Sequence, residues 1–163
     1  MNGGVIPGDK DPHHYAGACI MFYRFYDNEP EFLFQQRSKK IIGHPGLWDT
    51  TAGGHINYNE PRLDAVKRET KEEIGIDIDV DKLEYGFSHF VGNDVINLFF
   101  YDWTRQKDEF KFNDHEAEKL EWIKYSELDD FWPNLKPQVR KDEIFRLSLK
   151  IWAEKIEEKY GNN

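Results

Sequence analysis

The sequence predicts an α+β fold in which helices lie on the faces of a mixed β-sheet, and three observations predict it. Apolar and aromatic runs separated by turn clusters recur between residues 16 and 124. Residues 59–76 switch to helical period, and residues 141–160 return to it. With 163 residues, the chain suits one domain spanning 1–163 and leaves little room for a second.

The elements follow in order. Residues 1–15 are polar and turn-rich, through Pro7-Gly8-Asp9-Lys10-Asp11-Pro12, and read as a surface arm. Residues 16–26, with Ile20 and Phe22, read as a strand. Asp27-Asn28-Glu29-Pro30 is a turn cluster, and residues 31–37 return as the second arm of a hairpin. Residues 39–45 are a loop, and Pro45-Gly46 turns the chain before a short stretch around Trp48. Residues 83–90 and 95–103 are two further strands, linked through Gly92-Asn93-Asp94. Residues 106–117 are charged and loop-like, 120–124 form a short strand, and Ser126 is placed to cap a short helix. In the last helix, residues 141–160, Ile144, Leu147, Ile151 and Ile156 fall at near-helical spacing and dock it onto its own domain, with Gly161 as the stop.

Composition limits the function. Twelve Phe, eight Tyr and five Trp supply enough buried area for a real core. No apolar run approaches the ~20 residues of a membrane span, and the N-terminus shows no secretory signal pattern. The single cysteine, Cys19, excludes an internal disulfide framework or a cysteine-rich zinc site. The formal net charge is −9, which disfavours nucleic-acid polymers as partners. The expectation is a soluble, cytoplasmic protein with a small-molecule substrate and no membrane partner. The sequence does not give the oligomeric state and leaves a homodimer open.

The helix over residues 59–76 carries the chemistry. Asn59 serves as its N-cap, Pro61 sits in its first turn, and Gly75 is the left-handed stop. Leu63, Val66, Thr70 and Ile74 share a face that packs on the sheet. Glu69, Glu72 and Glu73 share another, because their offsets are three and four. These carboxylates repel one another close to a helix C-terminus, each at a penalty of a few tenths to about 1 kcal/mol. Hard divalent cations resolve the conflict, since Mg²⁺ takes carboxylate oxygens and keeps waters and substrate phosphates. A solvated charged face, aided by Lys67, Arg68 and Lys71, is the alternative the helix alone leaves open.

The wider spacing decides between them. Gly54, Glu60, Arg68, Glu69, Glu72, Glu73 and Gly75 match G-x5-E-x7-R-E-U-x-E-E-x-G-U, the signature of the Nudix hydrolases, which this chain therefore resembles. Seven fixed positions match by chance on the order of once in 10⁸ starting points. Thr70 departs from the aliphatic residue expected at one U position, and Ile76 fills the other. Gln35-Gln36-Arg37-Ser38, Pro45-Gly46-Leu47-Trp48-Asp49 and Ala52-Gly53-Gly54-His55 resemble the branch related to isopentenyl diphosphate isomerase. Glu116 stands six residues before Trp122, as does a metal-binding Glu in many relatives. The likeness covers about residues 14–130 and implies an α/β/α sandwich around a mixed sheet.

The resemblance implies attack of water on a diphosphate linked to a group X, usually in a nucleoside diphosphate derivative, with Mg²⁺ as cofactor and Mn²⁺ as the alternative ion. It implies Glu72 and Glu73 as metal ligands, Glu69 as a ligand or the base that orients water, Glu116 as a further ligand, and a carbonyl ligand from Gly53. Glu60 and Arg68 form a structural ion pair in this reading. No side chain is assigned to the substrate; Tyr58, Phe90 and Trp103 are aromatic candidates for stacking, and Gln36 and Arg37 serve either a phosphate or the sheet edge. Two alternatives stand beside the hydrolase. One is an isopentenyl diphosphate isomerase-like enzyme, whose relatives place a Cys where this chain has Gly53 and whose metal site His14, His55, Asp114 and Glu116 approximate in part. The other is a non-catalytic nucleotide-binding module.

Overall fold

A computed structural model describes residues 15–113 and 115–162. Of the expected arm, residues 1–15, all but Tyr15 lie outside the described residues, His14 among them, and Asp114 does too. The strands are β1 (Ala16–Tyr26), β2 (Glu29–Arg37), β3 (Trp48–Asp49), β4 (Ala52–His55), β5 (Glu84–Val91), β6 (Asp94–Asp102) and β7 (Ala117–Lys124). The α-helices are α1 (Arg62–Ile74), α2 (Leu128–Phe131), α3 (Pro137–Arg140) and α4 (Glu143–Tyr160). Asp27 and Asn28 both take positive φ, 51° and 63°, the twist that joins β1 to β2 as a tight hairpin.

The sheet is mixed and forked. β1 runs parallel to β6 along its length, and β5 continues antiparallel beyond β6. On its other edge, Tyr23–Tyr26 pairs with β2, whereas Gly17–Ile20 pairs with β4. β2 likewise pairs with β1 near its start, with β3 at Gln35 and Gln36, and with β7 on its far edge. Thr51 sits where β1 and β2 part. Its buried hydroxyl accepts from Phe22 N (2.9 Å) and donates to Leu33 O (2.5 Å), bonding to one backbone group of each strand. This contact fixes the start of β4 beneath α1.

Alternation along β1 feeds two cores. Ala18, Ile20 and Phe22 pack with Ala65, Val66 and Ile74 of α1. Met21 and Tyr23 pack on the opposite face with Phe145, Leu149 and Trp152 of α4. The result is the expected α/β/α sandwich, in which Trp152 stacks on Phe100 at 3.9 Å.

Several expectations are corrected. Asn59 is not the cap: it takes φ 59° in a turn, and Pro61 stands at the N-cap without a side-chain bond. Leu63 is exposed, and α1 buries Ala65 and Glu73 beside Val66, Thr70 and Ile74. Ser126 caps nothing; its N–H donates to Glu29 in a 3₁₀ turn, Tyr125–Glu127. α4 starts from Asp142, which accepts from Ile144 N and Phe145 N, and it docks through Phe145, Leu149, Trp152 and Ile156. Ile144, Leu147 and Ile151 point outward instead. β4 was hidden in sequence, because two of its four residues are glycines. Gly75, by contrast, is the left-handed stop, at φ 75° with its N–H on Lys71 O.

Replacing Thr51 with Val removes both bonds while keeping its shape. Urea denaturation is expected to show a loss of about 1–3 kcal/mol with an unchanged m-value; unaltered stability contradicts the fork contact.

Candidate active site

α1 lies over β4, and Arg68 ties the two together. Its Nε and Nη2 grip both oxygens of Glu60 at 2.8 and 3.0 Å, and Glu60 also accepts from Asn57 N. Nη2 donates as well to the carbonyl of His55 at 3.0 Å, and Nη1 reaches Glu69 at 2.8 Å and Glu72 at 3.3 Å. The bonds from Arg68 hold the Glu60 carboxyl below the usual carboxylate range. The expected ion pair between Glu60 and Arg68 is therefore present, as the hub of a wider network.

Glu69 is the strained member. Burial pushes its carboxyl above the usual range; Arg68 pulls it down, and the charges of Glu72 and Glu116 push it up again. Its carboxylate lies against Gly54: a Cβ there would stand 2.5 Å from Glu69 Cδ and 2.8 Å from Oε2. Glycine at 54 thus makes room for a carboxylate rather than for a turn. Glu116 arrives because the chain after β6 wraps the end of α1. Lys111 N donates to Ile74 O (2.8 Å), a carbonyl that the helix C-terminus leaves open, and Asn113 Nδ2 adds a second donor to Lys71 O (2.9 Å). Ser38 N then holds Glu116 O at 2.7 Å.

The three helical carboxylates do not share one face. Glu72 is exposed, Glu69 is half-buried by the neighbouring strand, and Glu73 is buried, with Gln35 Nε2 donating to it at 2.7 Å. Among the described residues no three His, Cys, Asp or Glu side chains form a preassembled metal cage. The donor set still suits a hard divalent cation: mutually acting carboxylates of Glu69, Glu72 and Glu116 sit beside a glycine-made recess, with a single guanidinium for compensation.

β4 has a second face. Because Cys19 pairs with Gly53, and Ala18 with Gly54, the two glycines point to opposite sides of the sheet. Gly54 meets Glu69, whereas a Cβ on Gly53 would stand 2.9 Å from Cys19 Sγ. Cys19, distant from the helix motif in sequence, is thus next to it in space. Burial and Asp49 push its thiol up to about 12. Gly53 and Cys19 line a cavity of about 350 Å³ on the α4 side of the sheet, which also reaches Asp49, Lys136, His89 and Asp142. Lys136 Nζ meets Asp49 at 2.5 Å, and His89 Nε2 lies 2.7 Å from Asp142. Neither pair was visible in sequence, since no fixed spacing links residues 49 and 136 or 89 and 142.

The remaining candidates separate clearly. His55 stacks on Tyr15 with ring centres 4.6 Å apart. Gln36 and Arg37 bond the carbonyls of Gly46 and Gly43, and so hold the loop at the sheet edge. Trp103 is core, while Tyr58 and Phe90 are exposed.

Comparison with known proteins bears on the family and the fold. The NUDIX domain model matches residues 14–143, and the chain belongs to the Nudix family. An uncharacterized Nudix hydrolase of Listeria innocua is 34% identical over 85 residues, 52% of this chain and 46% of that protein. The match to this relative thus spans less than half of the relative's length. An isopentenyl-diphosphate Delta-isomerase of Aromatoleum aromaticum is 28% identical over 130 residues, covering 76% of this chain and 69% of that one. Among solved structures, a bifunctional NMN adenylyltransferase/ADP ribose pyrophosphatase of Francisella tularensis, complexed with AMP and a manganese ion, superposes with a TM-score of 0.65 at 18% identity, covering 85% of this chain and 42% of that one. Among the described residues, no helix is long and apolar enough to cross a membrane.

The raised pKa of the Cys19 thiol gives a direct check. Iodoacetamide at pH 8 is expected to label Cys19 in the folded protein at least about a hundredfold more slowly than free cysteine, because only the thiolate reacts. Labelling at the free-thiol rate contradicts the raised pKa of Cys19.

Proposed function

We propose that the protein is a Mg²⁺-dependent pyrophosphohydrolase that cleaves the diphosphate linkage of a nucleoside diphosphate derivative, with Mn²⁺ as the alternative ion. The observation that supports it most is the half-buried Glu69 carboxylate, pressed into the recess at Gly54 and acted on by Glu72 and Glu116. A bound divalent ion supplies neutralisation of phosphate charge and lowers the pKa of water. Glu72, Glu73 and Glu116, with the carbonyl of Gly53, are the proposed ligands, and Glu69 is a ligand or the base that orients the attacking water. Gln35 holds the carboxylate of Glu73, and Arg68 holds those of Glu69 and Glu72, so the side chains are restrained before substrate arrives. The cavity beyond Gly53 takes the group X, with Lys136 as a cation in its wall. The substrate is a small molecule; a net charge of −9 opposes a nucleic-acid polymer.

One observation favours the isomerase-like alternative. Cys19 places a protonated thiol within 2.9 Å of where the side chain of residue 53 would begin, the position that carries a Cys in the isomerases. Isomerisation of isopentenyl diphosphate by the wild type, lost in Cys19→Ala, would establish that reading; hydrolysis indifferent to Cys19→Ala supports the pyrophosphohydrolase.

A panel of diphosphate compounds with Mg²⁺ tests the proposal. Release of a monophosphate product is expected, and Glu72→Gln is expected to lower kcat by ~10²-fold or more while the metal-free melting temperature stays unchanged. Near-normal turnover of Glu72→Gln at saturating Mg²⁺ contradicts the assignment, and a lack of turnover by the wild type on every compound favours a non-catalytic binding module. Separately, millimolar Mg²⁺ or Mn²⁺ is expected to raise the melting temperature of the wild type, since only the folded chain gathers the ligands; an unchanged melting temperature counts against the site.

A further inference from the structure

α4 carries two apolar stripes, and only one of them is docked. Phe145, Leu149, Trp152 and Ile156 pack into the core, while Ile144, Leu147 and Ile151 remain 47%, 55% and 40% exposed. The outward three are spaced i, i+3 and i+7, the pattern of a face that meets another helix. At the N-terminal end of α4 the stripe runs into a groove lined by Phe90, Val91 and Ile144, and Phe90 is itself 72% exposed. Single exposed apolar residues are ordinary, whereas a contiguous helical stripe joined to an exposed aromatic ring marks an interaction surface.

The charges around the stripe select the partner. Glu143, Lys150, Glu154, Lys155 and Glu158 are exposed beside it, three acidic and two basic, so the net charge of −9 is not concentrated here. Glu143 and Lys150 are seven residues apart and lie on the same flank, and among the described residues neither makes an ion pair within the chain. Lys155 lies on the other flank, over the Trp152 ring at 4.1 Å. An antiparallel pair of α4 helices related by a two-fold axis brings like flanks together. Centred between Leu147 and Ser148, it sets Ile144 level with Ile151 of the second copy and Leu147 against its own counterpart. Glu143 then falls about 3 Å of helix rise from Lys150 of the second copy, and the symmetry makes this contact twice. We propose that the outward face of α4 is a homodimer interface, built by antiparallel pairing of Ile144, Leu147 and Ile151 and flanked by reciprocal contacts between Glu143 and Lys150.

The proposal does not depend on the catalytic assignment, and its test reads mass rather than turnover. Sedimentation equilibrium of the full chain at micromolar concentrations and low ionic strength is expected to give twice the 19.4 kDa chain mass. Leu147→Glu places a charge at the centre of the stripe, on a side chain the fold already exposes, and is expected to leave circular dichroism unchanged while reducing the mass to 19.4 kDa. Glu143→Lys and Lys150→Glu are each expected to weaken the dimer at least tenfold, and the double reversal Glu143→Lys/Lys150→Glu is expected to restore it. A monomeric wild type overturns the proposal and leaves the stripe to residues 1–14 or to a different protein. A dimer that survives Leu147→Glu overturns it in favour of another face. Failure of the double reversal to recover what either single reversal loses overturns the antiparallel register.

Discussion

Arg68 is a single guanidinium answering three carboxylates, Glu60, Glu69 and Glu72, and that imbalance governs the site. One positive charge cannot neutralise three negative ones. Glu60 receives the best geometry, with both oxygens bonded, and its proton affinity falls accordingly. Glu69 receives one bond from Arg68, is half-buried, and is acted on by the charges of Glu72 and Glu116. Taking a carboxylate out of water without full compensation is unfavourable, and a fold selected for stability alone would not keep it. In the proposed function, a divalent cation would remove the deficit at the point where a pyrophosphate would also need positive charge, which would make the local instability intelligible as a function.

The fold is arranged to hold that deficit in place. Thr51 bonds both strands at the fork of the sheet, and β4 therefore begins under α1. Two successive glycines then serve opposite faces of one strand, one yielding space to Glu69 and the other to Cys19 and the cavity. The segment after β6 satisfies the Ile74 carbonyl, adds a second donor to that of Lys71, and in doing so delivers Glu116. The carboxylate cluster and the cavity are thus separated by the thickness of a backbone, with the start of α4 closing the cavity through its N-cap Asp142 and Phe145.

Much of this was legible in the sequence, for identifiable reasons. The helix of residues 59–76 announced itself through fixed spacing, and the hairpin at Asp27-Asn28 through residues that tolerate positive φ. Periodicity failed where two stripes competed: Ile144, Leu147 and Ile151 match helical spacing as well as Phe145, Leu149 and Trp152 do, and only the shape of the sheet decides which face docks. The same ambiguity exposed Leu63 and buried Glu73, because Gln35 of β2 offers that carboxylate a donor. Contacts set by strand pairing were beyond reach, since nothing in the sequence brings Cys19 to Gly53 or Lys136 to Asp49.

Titration of the protein with Mn²⁺, followed by the electron paramagnetic resonance signal of the free ion, measures directly whether α1 gathers a cation. The account predicts that folded wild type depletes the free signal stoichiometrically at micromolar to millimolar Mn²⁺, and that Glu69→Gln or Glu72→Gln abolishes the depletion while preserving the fold. Undiminished free signal over the wild type, or equal depletion by both variants, would contradict it.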